Sequence, residues 1–195
     1  MAKKNVLIMF DCFGVLYSRL VKSFFELYYG DPEAGRLTTL YTKDYDLGKG
    51  HFLDVAKKIA MDSNFKEEDI IKEWKGLVKR NKQLFYLVDK LREKYTVALV
   101  SNCARGQIQF IEENSESVID HFDGVFLSCQ TGIAKPNVLI YKNAIKHFKT
   151  NFETIIMIDD TEENLKPLED IGVIGIHYTD NDELYQCLKA LDLEF

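Results

Sequence analysis

Three short apolar runs in this chain each end on polar side chains that could bind or transfer an anionic group. These side chains are Asp11 after the first run, Ser101 and Asn102 after the second, and Asp159 and Asp160 after the third. Carboxylates that gather without partners repel one another, so a shared site implies a cation, and hard oxygen ligands together with a phosphate suit Mg²⁺. An aspartate can also act as a covalent nucleophile. A hydroxyl and an ammonium, such as that of Lys135, would hold the oxygens of the transferred group.

The apolar runs themselves are predicted to be parallel strands of one sheet. A short run that ends at a turn residue is typical of a strand buried on both faces. We predict strands over residues 6–10, 96–100, 125–127, 154–158 and 173–178, and helices over 84–95, 106–114, 138–149, 165–171 and 183–191. This alternation predicts a doubly wound, three-layer α/β fold. Because such folds bind ligands at the carboxyl edge of the sheet, the polar side chains would meet there.

Residues 18–80 interrupt the alternation. Apolar residues recur at helical spacing within residues 19–29, 51–61 and 66–80. Turn-forming residues separate these segments at 30–32 and 46–50. We therefore predict two units: an α/β core formed by residues 1–17 and 81–195, and a helical cap formed by residues 18–80.

Composition is that of a globular protein and argues against two classes of partner. The 195 residues carry a net charge of −6, and no segment concentrates Lys and Arg, so neither a nucleic acid nor a membrane is an expected partner. No run approaches the length of a transmembrane helix, and Asp11 interrupts the first run too early for a signal peptide. We expect a cytoplasmic monomer or homodimer. The four cysteines are widely spaced, which favours reduced thiols over a zinc site or disulfides.

Four segments of the chain resemble the motifs of the haloacid dehalogenase superfamily of hydrolases. In the family's order they are VLIMFDCFGVLY at 6–17, VALVSN at 97–102, GIAKPNVLIYKNAI at 132–145 and IIMIDDTEENLKPLEDIGVIGI at 155–176. The resemblance implies a Rossmann-like core with a helical cap inserted after the first motif. It also implies a Mg²⁺-dependent hydrolase, most similar to phosphatases of the sugar-1-phosphate type and of the epoxide hydrolase N-terminal type. Such an enzyme would act on a small phosphorylated metabolite.

The resemblance also implies a role for each polar residue. Asp11 would be the nucleophile that becomes an aspartyl-phosphate, while Ser101 and Lys135 would bind the phosphoryl group, with Asn102 beside them as a substrate-binding residue. The Mg²⁺ ligands would be the side chains of Asp11 and Asp160 and the carbonyl oxygen of Phe13. Asp159 would support that metal site.

Phe13 is where the chain departs from the family. Phosphatases of this family usually carry an aspartate two residues after the nucleophile, which protonates the leaving oxygen and then activates water. A phenyl ring cannot do this, and such a role is typically worth about 10²–10⁴-fold in rate. A second hypothesis is therefore a catalytically weak or inactive binding or regulatory protein. A third is a 2-haloacid dehalogenase-type hydrolase, which also has an aromatic residue there but typically replaces the Asp159–Asp160 pair retained here.

Four further residues keep two interpretations. Arg105 follows the second motif and could reach a substrate anion, although a solvated loop arginine explains it more simply. Tyr41, Tyr45 and His51 flank the turn at residues 48–50 of the cap, where similar proteins place substrate contacts. Packing or a surface position explains each of these three as well.

Overall fold

The strands of the core form one parallel sheet. The computed structural model describes residues 3–113 and 115–195, apart from the side chain of Asp31. Within them the strand order is β3-β2-β1-β4-β5. The strands are β1 (Val6–Phe10), β2 (Thr96–Ser101), β3 (Gly124–Leu127), β4 (Thr154–Asp159) and β5 (Ile174–His177). Strand β1 is therefore central, with β2 and β3 on one side and β4 and β5 on the other.

The central strand β1 is apolar on both faces. Ile8 and Phe10 enter one layer of the core, and Leu7 and Met9 enter the opposite layer. All four side chains are fully buried. This two-sided burial explains why β1 reads as a continuous apolar run rather than as an alternating one.

Along the chain, four helices follow β1 before the core continues. They are α1 (Leu20–Tyr29), α2 (Asp31–Tyr45), α3 (Asp54–Asp62) and α4 (Glu67–Leu77). Their apolar faces enclose Trp74, whose ring stacks on that of Phe24 with centroids 3.7 Å apart. On its other side Trp74 meets Phe52, and Phe52 meets Phe110 of the core at 5.1 Å. We refer to residues 18–80 as the cap.

The remaining helices cover the two faces of the sheet. They are α5 (Lys82–Lys94), α6 (Gln107–Glu112), α7 (Ser128–Thr131), α8 (Val138–His147), α9 (Glu162–Leu165) and α10 (Asn181–Ala190), with 3₁₀ turns at Ile119–His121 and Glu169–Ile171. No helix in the described ranges is both long enough and apolar enough to span a membrane.

The two chain segments that join the cap to the core are hydrogen-bonded to each other. Ser18 N–H donates to the carbonyl oxygen of Lys79 (3.0 Å), and Asn81 N–H donates to that of Leu16 (2.9 Å). The Ser18 hydroxyl also donates to the carbonyl oxygen of Leu77 (2.9 Å) and accepts from Lys79 N–H (3.2 Å). Residues 16–18 and 79–81 therefore form a short antiparallel ribbon.

The α/β fold class predicted from the sequence is confirmed, and two details differ. Helix α2 was not predicted, because the segment at residues 30–32 resembles a turn; Pro32 instead lies in the first turn of the helix, where no N–H is needed. The helix predicted over 165–171 is split into α9 and a 3₁₀ turn, with Pro167 between them. The predicted helix end at residue 114 and the first two residues of the predicted core lie outside the described ranges.

Candidate active site

The candidate site lies where β1 and β4 run side by side at the carboxyl edge of the sheet. Phe10 pairs with Ile158 in register, so Asp11 and Asp159 leave the sheet next to each other. The chain builds β2 and β3 on one side of β1 and then crosses back to β4 on the other. This is the switch point at which open α/β sheets form a ligand crevice.

Lys135 joins the two strand ends. Its ammonium lies 2.8 Å from Asp11 Oδ1 and 2.6 Å from Asp159 Oδ2, and its side chain is fully buried. Burial alone lowers the pKa of Lys135, but the charges of Asp11 and Asp159 outweigh it and raise that pKa. The lysine is therefore a fixed positive charge at the sheet edge.

The two oxygens of Asp11 have different surroundings. Oδ1 accepts from Cys12 N–H (2.7 Å) and from Lys135, whereas Oδ2 has no hydrogen bond from the described part of the chain. Burial raises the pKa of Asp11, Lys135 lowers it, and the charges of Asp159 and Asp160 add to the rise. One oxygen is anchored, and the other is available to a ligand.

Asp159 is enclosed by donors. It is fully buried, and besides Lys135 it accepts from Thr161 N–H (2.9 Å) and from the Asn164 amide (3.0 and 3.1 Å). Its contacts make it the counter-ion of Lys135. Sequence reasoning missed Asn164, although its spacing of four residues after Asp160 in a short helix offered a signal.

Ser101 and Asn102 occupy the end of β2, and they differ in exposure. Ser101 is fully buried, and its hydroxyl donates to the carbonyl oxygen of Asn102 (3.3 Å). The Asn102 amide donates to the carbonyl oxygen of Lys135 (2.9 Å) and accepts from Lys135 N–H (2.8 Å). Asn102 thus fixes the loop that carries Lys135, and it also lines the cavity. The phosphoryl-binding role of Ser101 stays a prediction.

Three carboxylates are close enough to share a cation. One oxygen from each of Asp11, Asp159 and Asp160 lies within 4.8 Å of the others. Because Asp159 is already surrounded by donors, Asp11 and Asp160 are the ones that fit as direct Mg²⁺ ligands. Gly14 makes this approach feasible: its φ is +95°, and a Cβ there would lie 1.9 Å from Asp160 Oδ2. The Arg19 guanidinium contacts the same carboxylate.

A cavity of about 280 Å³ opens above these groups. The core contributes Asp11, Phe13, Asn102 and Asn164 to its wall, and the cap contributes Arg19, Thr38, Thr42 and Asp46. Phe13 is half-buried there, and a metal-binding role for its carbonyl oxygen stays a prediction.

The four residues with two interpretations lie away from the cavity wall. Tyr41 and Tyr45 pack on each other inside the cap, with ring centroids 5.2 Å apart. His51 and Arg105 meet where the cap touches the core, and Phe52 N–H donates to the carbonyl oxygen of Arg105 (2.8 Å). Tyr41 and Tyr45 therefore pack inside the cap, and His51 and Arg105 hold the cap against the core.

Known proteins resemble this chain in both sequence and fold. The family model described as haloacid dehalogenase-like hydrolase matches residues 6–172. The sesquiterpene phosphatase astK of Aspergillus oryzae is 34% identical over 74 residues, which cover 38% of this chain and 37% of that protein. The bifunctional epoxide hydrolase 2 of Sus scrofa is 37% identical over 71 residues, which cover 36% of this chain and 13% of that protein. The matched segments are thus a minor part of both relatives.

A solved structure covers nearly the whole chain. It is a haloacid dehalogenase family enzyme of Bacteroides thetaiotaomicron in complex with magnesium and inorganic phosphate, with a TM-score of 0.71 and 22% identity. The match covers 94% of this chain and 100% of that one. At this level of identity the similarity shows a shared fold.

Proposed function

The chain belongs to the haloacid dehalogenase-like hydrolase family, and from this premise we propose that it is a Mg²⁺-dependent phosphatase that forms an aspartyl-phosphate on Asp11. The observation that carries the proposal is the asymmetry of Asp11. Lys135 and Cys12 N–H hold Oδ1, while Oδ2 has no hydrogen bond from the described residues and Asp11 lines the cavity. A carboxylate held in this way is oriented for attack through its other oxygen.

The chain's own residues account for the first half of the reaction. Asp11 Oδ2 attacks phosphorus, and the bond from phosphorus to the leaving oxygen breaks. Lys135 remains beside Asp11 as the carboxylate charge passes to the phosphoryl group, so its ammonium stabilises the negative charge that develops. Asp159 holds the ammonium of Lys135 in place, and Asn102 holds its backbone.

The metal fits the donor set of the site. Asp11 and Asp160 supply two carboxylates, and the carbonyl oxygen of Phe13 would be a third hard oxygen ligand. When bound, Mg²⁺ neutralises charge on the phosphoryl oxygens. Asp159 supports this arrangement through Lys135 rather than as a ligand.

The substrate class follows from the cavity. Its volume of about 280 Å³ lies near the lower limit of small-molecule sites, which span roughly 300–1,000 Å³, so we propose a small phosphorylated metabolite. The printed activity of the Aspergillus oryzae relative, a phosphatase, supports phosphate chemistry. The retained pair Asp159 and Asp160 supports phosphate chemistry as well. Asp160 would be a Mg²⁺ ligand, and Asp159 is the counter-ion of Lys135.

The proposal is tested by trapping the covalent intermediate. Incubation with acetyl phosphate and Mg²⁺ should add one phosphoryl group to Asp11, detected by mass spectrometry of the intact protein and its peptides. Asp11→Asn should remain unmodified, and Asp62→Asn, which changes an exposed carboxylate of the cap, should be modified like the parent protein. An unmodified parent protein that also hydrolyses no phosphate ester would contradict the proposal and favour a binding or regulatory protein, the alternative that Phe13 supports.

A further inference from the structure

The cap places the carboxylate of Asp46 in the wall of the site. Asp46 follows helix α2 and lines the cavity together with Asp11 and Phe13. No hydrogen bond or ion pair to its carboxylate is found within residues 3–113 and 115–195. The acids of the core differ in this respect, because Asp11 is paired with Lys135 and Asp160 with Arg19.

The backbone around Asp46 is held at one place above the core. Asp46 N–H donates to the carbonyl oxygen of Thr42 (3.0 Å), and Gly48 N–H donates to that of Tyr45 (2.8 Å). Gly48 has a φ of +76°, and a Cβ there would lie 2.4 Å from the carbonyl oxygen of Cys129. The loop that carries Asp46 is therefore seated directly on the core, in a position that a larger residue at 48 would displace.

The protonation of Asp46 suits proton transfer near neutral pH. Burial raises the pKa of this carboxyl to about 7, although the charge of Lys135 acts in the opposite direction. The other charged or titratable groups around it are Asp11, Arg19, Lys22 and Asp160 in the cavity wall and Cys103 and Cys129 in the core. An acid with a pKa near the working pH is an effective proton donor and acceptor.

We infer that Asp46 is the general acid and base of the reaction and supplies from the cap the carboxyl group that position 13 lacks. The inference rests on the proposed phosphatase function. It explains how a chain with Phe13 in the wall of the site still carries a carboxyl group that can exchange protons there. Phe13 itself contributes an apolar surface to the same cavity.

The protons balance over the two steps. In the first, Asp11 Oδ2 bonds to phosphorus, the phosphorus–oxygen bond of the ester breaks, and the Asp46 carboxyl gives its proton to the departing oxygen, which leaves as an alcohol. In the second, water attacks phosphorus while the Asp46 carboxylate takes one of its protons. The bond between phosphorus and Asp11 then breaks, which releases inorganic phosphate and restores both aspartates.

A series of aryl phosphates measures this assistance directly. Substituted phenyl phosphates differ in the basicity of the leaving oxygen and little in shape near phosphorus. For Asp46→Asn with Mg²⁺, we expect kcat/KM to fall by about 10²–10⁴-fold on phenyl phosphate and little on 2,4-dinitrophenyl phosphate. The dependence of rate on leaving-group pKa should therefore become steeper. The phosphoryl-enzyme should also accumulate, because its hydrolysis has lost the general base.

Three further variants keep the inference distinct from a structural role. Asp46→Glu, which retains a carboxyl, should recover part of the loss on phenyl phosphate. Gly48→Ala, which displaces the loop but keeps the acid, should resemble Asp46→Asn. Asp44→Asn removes an exposed carboxylate paired with Lys49 and should behave like the parent protein.

The outcomes separate the inference from the function on which it rests. If the parent protein is phosphorylated on Asp11 and Asp46→Asn loses the same factor on every aryl phosphate, or loses none, the inference is overturned while the function stands. If the parent protein neither forms the phosphoryl-enzyme nor hydrolyses any aryl phosphate, both are overturned.

Discussion

Among the single residues, Asp160 is the one on which we expect Mg²⁺ binding to depend most directly. Its carboxylate is within reach of Asp11 and is contacted by the Arg19 guanidinium. A cation bound there stabilises the folded protein, by about 2.7 kcal/mol when its concentration is a hundred times the Kd. Asp160→Asn should abolish the rise in Tm that Mg²⁺ produces in a thermal-shift titration.

Two other variants complete this titration. Arg19→Met should bind Mg²⁺ more tightly than the parent protein, because the guanidinium no longer competes for Asp160. Asp62→Asn, in the cap, should show the parent response. Equal Mg²⁺ shifts in Asp160→Asn and in the parent protein would rule out the proposed ligand set.

The raised pKa of Asp46 has a consequence for stability that is independent of catalysis. Its folded-state pKa of about 7 lies above the ordinary value of 3.8, so the folded state binds a proton more tightly than the unfolded chain. The contribution of Asp46 to stability therefore falls as the pH rises from about 4 to 7, and Asp46→Asn lacks this pH-dependent contribution. In Mg²⁺-free buffer, the Tm of Asp46→Asn minus that of the parent should grow over this range and then level off. A constant difference would mean that the pKa is not raised.

The residues of the site differ in how far the sequence predicts them. The strand pattern predicts that Asp11, Asp159 and Asp160 meet, because parallel strands gather their carboxyl ends at one edge, and that Lys135 joins them from the loop before α8. The structure brings all four together. Asp46 carries no such signal. It stands in a turn of the cap, and the packing of α2 on the cap together with the contact of Gly48 with the core brings it above the sheet.

Among the elements, the turn after β1 has the tightest constraint. Gly14 combines a left-handed φ of +95° with the close approach of Asp160. Gly14→Ala should lower the free energy of unfolding by about 1–3 kcal/mol and weaken the Mg²⁺ response, measured by chemical denaturation with and without the metal. Gly76→Ala is the matched control: nothing lies within 4 Å of its Cβ, and in helix α4 it should stabilise by about 0.4–1 kcal/mol. Comparable effects at the two positions would show that Asp160 readily moves aside and that the backbone at position 14 tolerates a side chain.

Helix α2 is harder to predict from the sequence than the central strands, for a physical reason. The central strands β1, β2 and β4 are buried along most of their length, so their residues are almost all apolar. Helix α2 buries only one side, with Ala34 and Leu37 inside and Leu40 exposed, and its apolar pattern is correspondingly weak. The other residues of α2 are mostly polar, and they include Thr38 and Thr42 in the cavity wall. The sequence pattern therefore indicates neither the helix nor its position beside the site.

At the scale of the whole molecule, the cap meets the core at a contact that amide exchange can follow. Phe52 N–H donates to the carbonyl oxygen of Arg105, across the boundary between the two units. If the cap opens and closes over the site, as lids that exclude water do, this amide exchanges through the open state. Mg²⁺ with orthovanadate should slow its exchange, while amides within α4, such as that of Trp74, should not change. Unchanged exchange at Phe52 would indicate a fixed cap.

The ribbon formed by residues 16–18 and 79–81 limits how such a cap can travel. Two independent tethers would allow it to slide, twist and tilt. Two segments joined by the hydrogen bonds of Ser18 and Asn81 bend together. They restrict the cap mainly to a hinge rotation about a single axis. Closure then sacrifices little orientational entropy, and a side chain carried on the cap returns along the same arc to the same point in every cycle.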